Sequence, residues 1–277
     1  MWFFLAISSA AIYSLRSLLE KHSLKKVNPY ILAFAVRFFA LPLFFIPFLI
    51  GIAEFPILSQ VPTNFWLAAL FISCVSTPLE MIFFYKALQT EEVSFVVPLL
   101  GISPLITALI SALILREFPS FWGVVGMFLV VLGLYILNLQ KQHEHFLEPI
   151  KHLVQNSAFK YLVLMLLSYS LGIIVDKLAI SYSNIYFYSL INYLFVSLAL
   201  FVIARFKAKK NFGQLKTGLF SFTIIGLIVA GYTWLRFAAL QSGNTGYVSA
   251  TLSSSVLFSI LLGILFFKEK MLPKNFS

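Results

Sequence analysis

Long apolar runs, separated by short polar connections, organise this chain. A helix needs about 20 mainly apolar residues to cross the hydrocarbon of a bilayer. Runs of that kind cover residues 2–19, 30–50, 65–85, 93–115, 121–139, 161–180, 185–204, 219–240 and 247–267. They predict about nine transmembrane helices in an all-α polytopic bundle. A β-barrel is the other structure that spans lipid, but its strands alternate polar and apolar residues over about ten positions. The stretch FVVPLLGISPLITALISALIL does not alternate. The first run, MWFFLAISSAAIYSL, has no basic region ahead of it, so it reads as a membrane helix rather than a secretory leader.

Composition agrees with this pattern. Hydrophobic residues make up 60% of the 277 positions and charged residues only 11%, with a mean hydropathy of +0.94. A soluble domain carries about 25% charged residues because its surface must meet water. The net charge of +10 falls mostly between the apolar runs, as at Arg205, Lys207, Lys209 and Lys210. That placement suits an anionic membrane face rather than nucleic acid. Cys74 is the single cysteine, which excludes an internal disulfide framework and a Cys-rich metal site. His143 and His145 lie in the longest polar connection and read as solvated loop residues without an evident ligand cluster, so no metal or cofactor is expected.

Two halves are related. Tyr13-Ser14-Leu15 returns as Tyr169-Ser170-Leu171 at a spacing of 156, where Glu20-Lys21 also meets Asp176-Lys177 and Asn28 meets Asn184. Ala87-Leu88-Gln89 returns as Ala239-Leu240-Gln241 at a spacing of 152, and Arg116-Glu117 as Lys268-Glu269. These matches keep their order along the chain. They divide it into a first unit of five helices (1–140), a hydrophilic linker (141–160) and a second unit of four (161–277). An odd number of helices per unit turns the second copy over in the membrane. The expected architecture is therefore a 5+4 inverted-topology repeat, an arrangement that builds one binding site exposed in turn to either side.

Three passages carry a family resemblance: YKALQTEEVSFVVPLLGISPLITALISALILREFPSFWGVVGMFLVVLGLYIL, its counterpart RFAALQSGNTGYVSATLSSSVLFSILLGILFFKEK, and NPYILAFAVRFFALPLFFI with Arg37 early in the second helix. Together they resemble the EamA-like ten-helix members of the drug/metabolite transporter superfamily. The resemblance implies a secondary transporter of a small organic metabolite in a bacterial inner membrane, with both termini in the cytoplasm. Three features depart from it. No tenth helix follows Glu269. Pro98 and Pro104 meet Ala250 and Val256 in the second unit. Most of the 20 Lys and Arg fall on one face, which by the positive-inside rule places the N-terminus outside. A homodimer or another subunit is one way to cover the face that an absent helix leaves. A non-transporting remnant or subunit is the alternative function; a membrane-embedded enzyme is the weaker one, because no catalytic cluster is evident.

Ionisable groups in hydrocarbon are costly, so they face a cavity or a partner. Glu80, after Pro78 in the third run, heads the candidates as a carboxylate that binds a cationic group of a solute or takes up a proton. Arg37 and Arg236 are the intramembrane cations, and Tyr232 occupies the repeat position of Glu80. Tyr13, Tyr169, Asn192, Tyr193 and Trp234 complete a polar–aromatic set suited to orienting a small ligand. Tyr186 and Tyr188, close to a helix start, read as an interfacial belt. Pro98, Gly101 and Pro104 are candidates for a kink that frees backbone carbonyls. Gly123, Gly126 and Gly133 are expected to admit close helix contacts.

Overall fold

The computed structural model describes residues 1–90, 102–139 and 157–267. Its main helices are α1 (Trp2–Leu24), α2 (Pro29–Leu49), α3 (Thr63–Phe71, resuming as Thr77–Thr90), α4 (Ser103–Ile114) and α5 (Phe121–Leu139). The second half supplies α6 (Ser157–Ser181), α7 (Ile185–Lys207), α8 (Leu219–Ser242), α9 (Thr245–Leu252) and α10 (Ser255–Phe267). No strand occurs among the described residues. The chain is a polytopic helical membrane protein.

Local chemistry sets these boundaries. The Asn28 side chain caps α2 by accepting from the Tyr30 N–H at 3.0 Å, with Pro29 in the first turn. Asn184 caps α7 by accepting from Phe187 N–H at 2.9 Å. Each asparagine satisfies one of the backbone donors that a helix start leaves unpaired. Pro42 and Pro47 lack a donor N–H, and here α2 tightens into a 3₁₀ turn over Leu41–Phe45. In α3 the segment Ile72–Ser76 widens into a π turn just before Pro78. Ser253 and Ser254 return their hydroxyls to the carbonyls of Ser249 and Thr251, at 3.1 and 2.7 Å. Such back-bonding competes with the helix ladder, and the expected ninth run is divided here into α9 and α10.

Six helices are individually long and apolar enough to cross a membrane: Trp2–Leu24, Pro29–Leu49, Thr63–Ala87, Lys160–Ser181, Ile185–Lys207 and Leu219–Ser242. The described parts of the fourth and fifth runs form the shorter apolar helices Ser103–Ile114 and Phe121–Gly133.

The halves interleave. α1 lies on α8, α9 and α10, and α2 lies on α8; reciprocally, α6 lies on α3 and α4, and α7 lies on α3. α2 also meets α7, and α4 meets α9. Two apolar clusters hold this arrangement. One joins Val36, Phe44 and Met81 to Leu166, Val196 and Val229; the other joins Ala6, Phe65 and Ile72 to Ile173, Phe187 and Val248.

Close helix approach rests on one of the expected glycines, Gly123, and on Gly226, which the sequence did not single out. A Cβ at Gly226 of α8 would stand 2.8 Å from the Phe39 backbone of α2. One at Gly123 would strike the Tyr247 ring at 2.4 Å, whereas Gly126 and Gly133 have nothing within 4 Å. The sequence pattern of α5 shows which residues are small, but not which face turns to a neighbour.

Candidate functional site

A cavity of about 100 Å³ lies where the two halves interleave. Tyr13, Ser17 and Lys21 of α1 line it, with Glu80 and Phe84 of α3, Met165 and Tyr169 of α6, Tyr232 of α8, and Leu252, Val256 and Ser259 of α9 and α10. A smaller chamber of about 20 Å³ adjoins it, and Glu80, Tyr169 and Tyr232 form walls of both. The chamber is otherwise lined by Arg37, Asp176, Asn192, Tyr193, Thr233 and Arg236, together with several apolar and small residues. One water needs about 10–15 Å³ of such space and two to four polar partners, so the chamber suits water.

The π turn positions Glu80. Its extra residue rotates the following segment, whose first turn carries the carboxylate. The serines of the π turn pin it on both sides: Ser73 Oγ donates to the Asn192 carbonyl at 3.3 Å, and Ser76 Oγ to the Ser168 carbonyl at 2.7 Å. Among the described residues, none makes a hydrogen bond or ion pair to Glu80. A carboxylate without a partner in a cavity wall is costly unless a solute, a proton or water meets it.

The surrounding guanidiniums are committed elsewhere. Arg236 forms an ion pair with Asp176, whose other oxygen accepts the Tyr188 hydroxyl proton. Asn192 Nδ2 donates to that tyrosine oxygen at 3.0 Å. Arg37 donates to the Tyr193 hydroxyl and to Met81 Sδ, and its guanidinium carbon lies 5.0 Å from the Tyr193 ring centre. Tyr193 also bonds Thr233 Oγ1 at 2.6 Å. Arg16 is paired with Glu20 at 2.8 Å and lies 5.2 and 5.7 Å from the ring centres of Tyr13 and Tyr232, themselves 5.1 Å apart.

The structure thus brings together Glu80, Arg37, Tyr13, Tyr169, Asn192, Tyr193, Tyr232 and Arg236. Trp234 instead packs edge-on against Phe44, 5.3 Å between ring centres, and lines neither space. Pro104 is buried in the first turn of α4, where a missing N–H is tolerated. Pro98 and Gly101 lie outside the described residues. Tyr188 is a correction: it is fully buried against Asp176 rather than placed in an interfacial belt. Asp176 and Thr233 are site residues that periodicity did not single out, and Arg16 stacks behind Tyr13 and Tyr232. The repeat match of Glu20 with Asp176 was the available signal for two of the buried acids.

A second polar cluster ties the end of the bundle near the α4–α5 connection. Lys177 Nζ pairs with Glu117 and donates to the Gly243 carbonyl at 2.6 Å, while Glu117 Oε2 accepts from Thr245 N–H at 2.8 Å. Burial works against the Glu117 carboxylate, but the Lys177 ammonium and the Thr245 N–H outweigh it and hold the group below the usual range. Nearby, the Ser120 N–H donates to the Tyr247 hydroxyl oxygen at 2.7 Å.

A buried polar chamber and a larger cavity between interleaved helical halves define a polytopic membrane protein with an internal site. The EamA-like transporter family model matches residues 1–139 and 156–277, and the chain belongs to that family. Its class is therefore that of membrane transporters of the drug/metabolite kind. A search of curated proteins finds no match. A solved structure titled "Crystal structure of protein" is similar in fold, with a TM-score of 0.70 over 99% of this chain and 90% of that one, at 14% identity.

Proposed function

We propose that this protein is a secondary carrier that exports or exchanges a small organic metabolite by alternating access, in a bacterial inner membrane. The observation that carries the reading is the Glu80 carboxylate, without a hydrogen-bond or ion-pair partner among the described residues, in the wall shared by the two internal spaces. Tyr13, Tyr169 and Tyr232 supply aromatic faces and hydroxyls around it, and Phe84, Met165 and Val256 give the larger cavity an apolar wall. A solute with an apolar body and a group able to meet a carboxylate matches this lining. Proton coupling through Glu80 belongs to the same reading, since a carboxyl that gains and loses a proton can exchange it for solute.

The repeat supports alternating access. Arg37 and Tyr193 occupy equivalent positions in the two halves and bond to each other. Contact between equivalent positions is what a pseudo-two-fold axis through the site produces, and an inverted repeat has such an axis in the membrane plane. The test is flux in proteoliposomes, after an untargeted comparison of metabolites in cells with and without the protein has named a solute. Glu80→Gln should reduce flux severely while the chain still inserts and elutes as a folded species. Unchanged flux removes Glu80 from the mechanism.

A further inference from the structure

The small chamber holds two carboxylates, Glu80 and Asp176, and two guanidiniums, those of Arg37 and Arg236. By count each acid could take one cation, yet the structure distributes them unevenly. Asp176 takes Arg236 and the Tyr188 hydroxyl, Arg37 is occupied by Tyr193 and Met81, and Glu80 takes neither cation. We propose that Asp176 is a positioning residue: by holding the Arg236 guanidinium it keeps that charge off Glu80 and leaves the Glu80 carboxylate open to the cavity. The inference rests on Glu80 being the transport carboxylate proposed above.

Arg236 and Glu80 line the same small chamber. Its guanidinium carbon lies 5.9 Å from the ring centre of Tyr232, which shares both spaces with Glu80. Its Nε–H is buried without a partner among the described residues, so this side chain already has an unused donor. Removing one member of a buried ion pair leaves an uncompensated charge, and that charge seeks the nearest opposite one. With Asp176 neutralised, Glu80 is the free carboxylate of the chamber. The Tyr188–Asn192 bond restrains Asp176 from behind and so fixes which acid Arg236 meets.

The consequence is readable without any solute. Dicyclohexylcarbodiimide adds across a protonated carboxyl, and the adduct rearranges to a stable N-acylurea that retains every atom of the reagent. The label at Glu80 is measured by peptide mass spectrometry on the full chain in proteoliposomes at a fixed neutral pH. Asp176→Asn should slow Glu80 labelling about tenfold, because a paired guanidinium favours the ionised carboxylate and covers it. The charge-neutral double variant D176N/R236Q should return labelling to the parental rate, which a merely structural defect would not do. Parental labelling in D176N, or slow labelling that persists in the double variant, overturns the proposal. If D176N does not fold, the double variant carries the test alone. Parental labelling then supports the assignment, and a several-fold rise overturns it by showing that Arg236 already covers Glu80. E80Q flux reads the transport role separately, so the two failures are distinguishable.

Discussion

At the residue scale, the cost of charge in hydrocarbon singled out three of the four charged residues that line the small chamber. Glu80, Arg37 and Arg236 stand inside apolar runs, and all three line the polar chamber. Asp176 escaped this reasoning because it precedes Lys177 near the end of a run and looks like a solvated helix terminus. Tyr188 escaped it because four positions from the Asn184 helix cap is also where interfacial rings sit. Their burial arises from α7 packing against α3 and α6, which no local pattern reports. Tyr188→Phe should lower unfolding free energy by about 1–2 kcal/mol, since it takes a donor from Asp176 and an acceptor from Asn192. Thermal denaturation in detergent reads this directly. A variant as stable as the parent would mean the hydroxyl is dispensable.

Glu117 gives a second residue-scale expectation, this one in pH. Its native carboxyl is held below the ordinary range by Lys177 and Thr245 against the opposing effect of burial. A group whose folded value is lowered contributes stability above its unfolded value, roughly pH 4.3 for glutamate, and loses it as pH falls through the native value. The parent and Glu117→Gln should therefore differ in melting temperature at neutral pH and converge as the solution is acidified below about pH 4. Parallel curves across that window would show that the ion pair contributes nothing to folding.

At the scale of elements, helix existence was written plainly in the apolar runs, and helix interruptions were not. The caps at Asn28 and Asn184 were visible as repeat mates, and each satisfies a backbone donor in the structure. The π turn over Ile72–Ser76 has no periodic signature; it is a packing event, paired with the hydroxyl bonds of Ser73 and Ser76 to neighbouring helices. The glycines show the same limit. Composition favoured α5 as a small-residue face; there Gly123 meets the Tyr247 ring, while the approach onto backbone is α8 on α2 at Gly226. Gly226→Val should destabilise the protein by about 1–3 kcal/mol, because the new side chain meets Phe39 backbone rather than a movable side chain. Gly126→Ala, with open space around it, should be close to neutral. Paired melting curves check both, and equal effects would mean that α2 and α8 can part at little cost.

At the scale of the molecule, the interleaving decides what the two halves are. They share both apolar clusters, so neither half owns a complete core. α1 finds its neighbours in α8, α9 and α10, and α6 finds its own in α3 and α4. The site follows from this exchange: Glu80 of one half faces Tyr169 and Tyr232 of the other. Under the alternating-access reading proposed above, the halves rock only while each stays folded against the other. Expressed as two polypeptides, residues 1–140 and 141–277, the halves should co-purify on a tag carried by either one. Each half expressed alone should be degraded or aggregate, because the apolar faces that meet across the interleave would be left without their partners. Separate accumulation of a stable, monodisperse half would contradict the shared core. It would also recast the site as a contact between two independent bundles rather than a space that exists only when both are present.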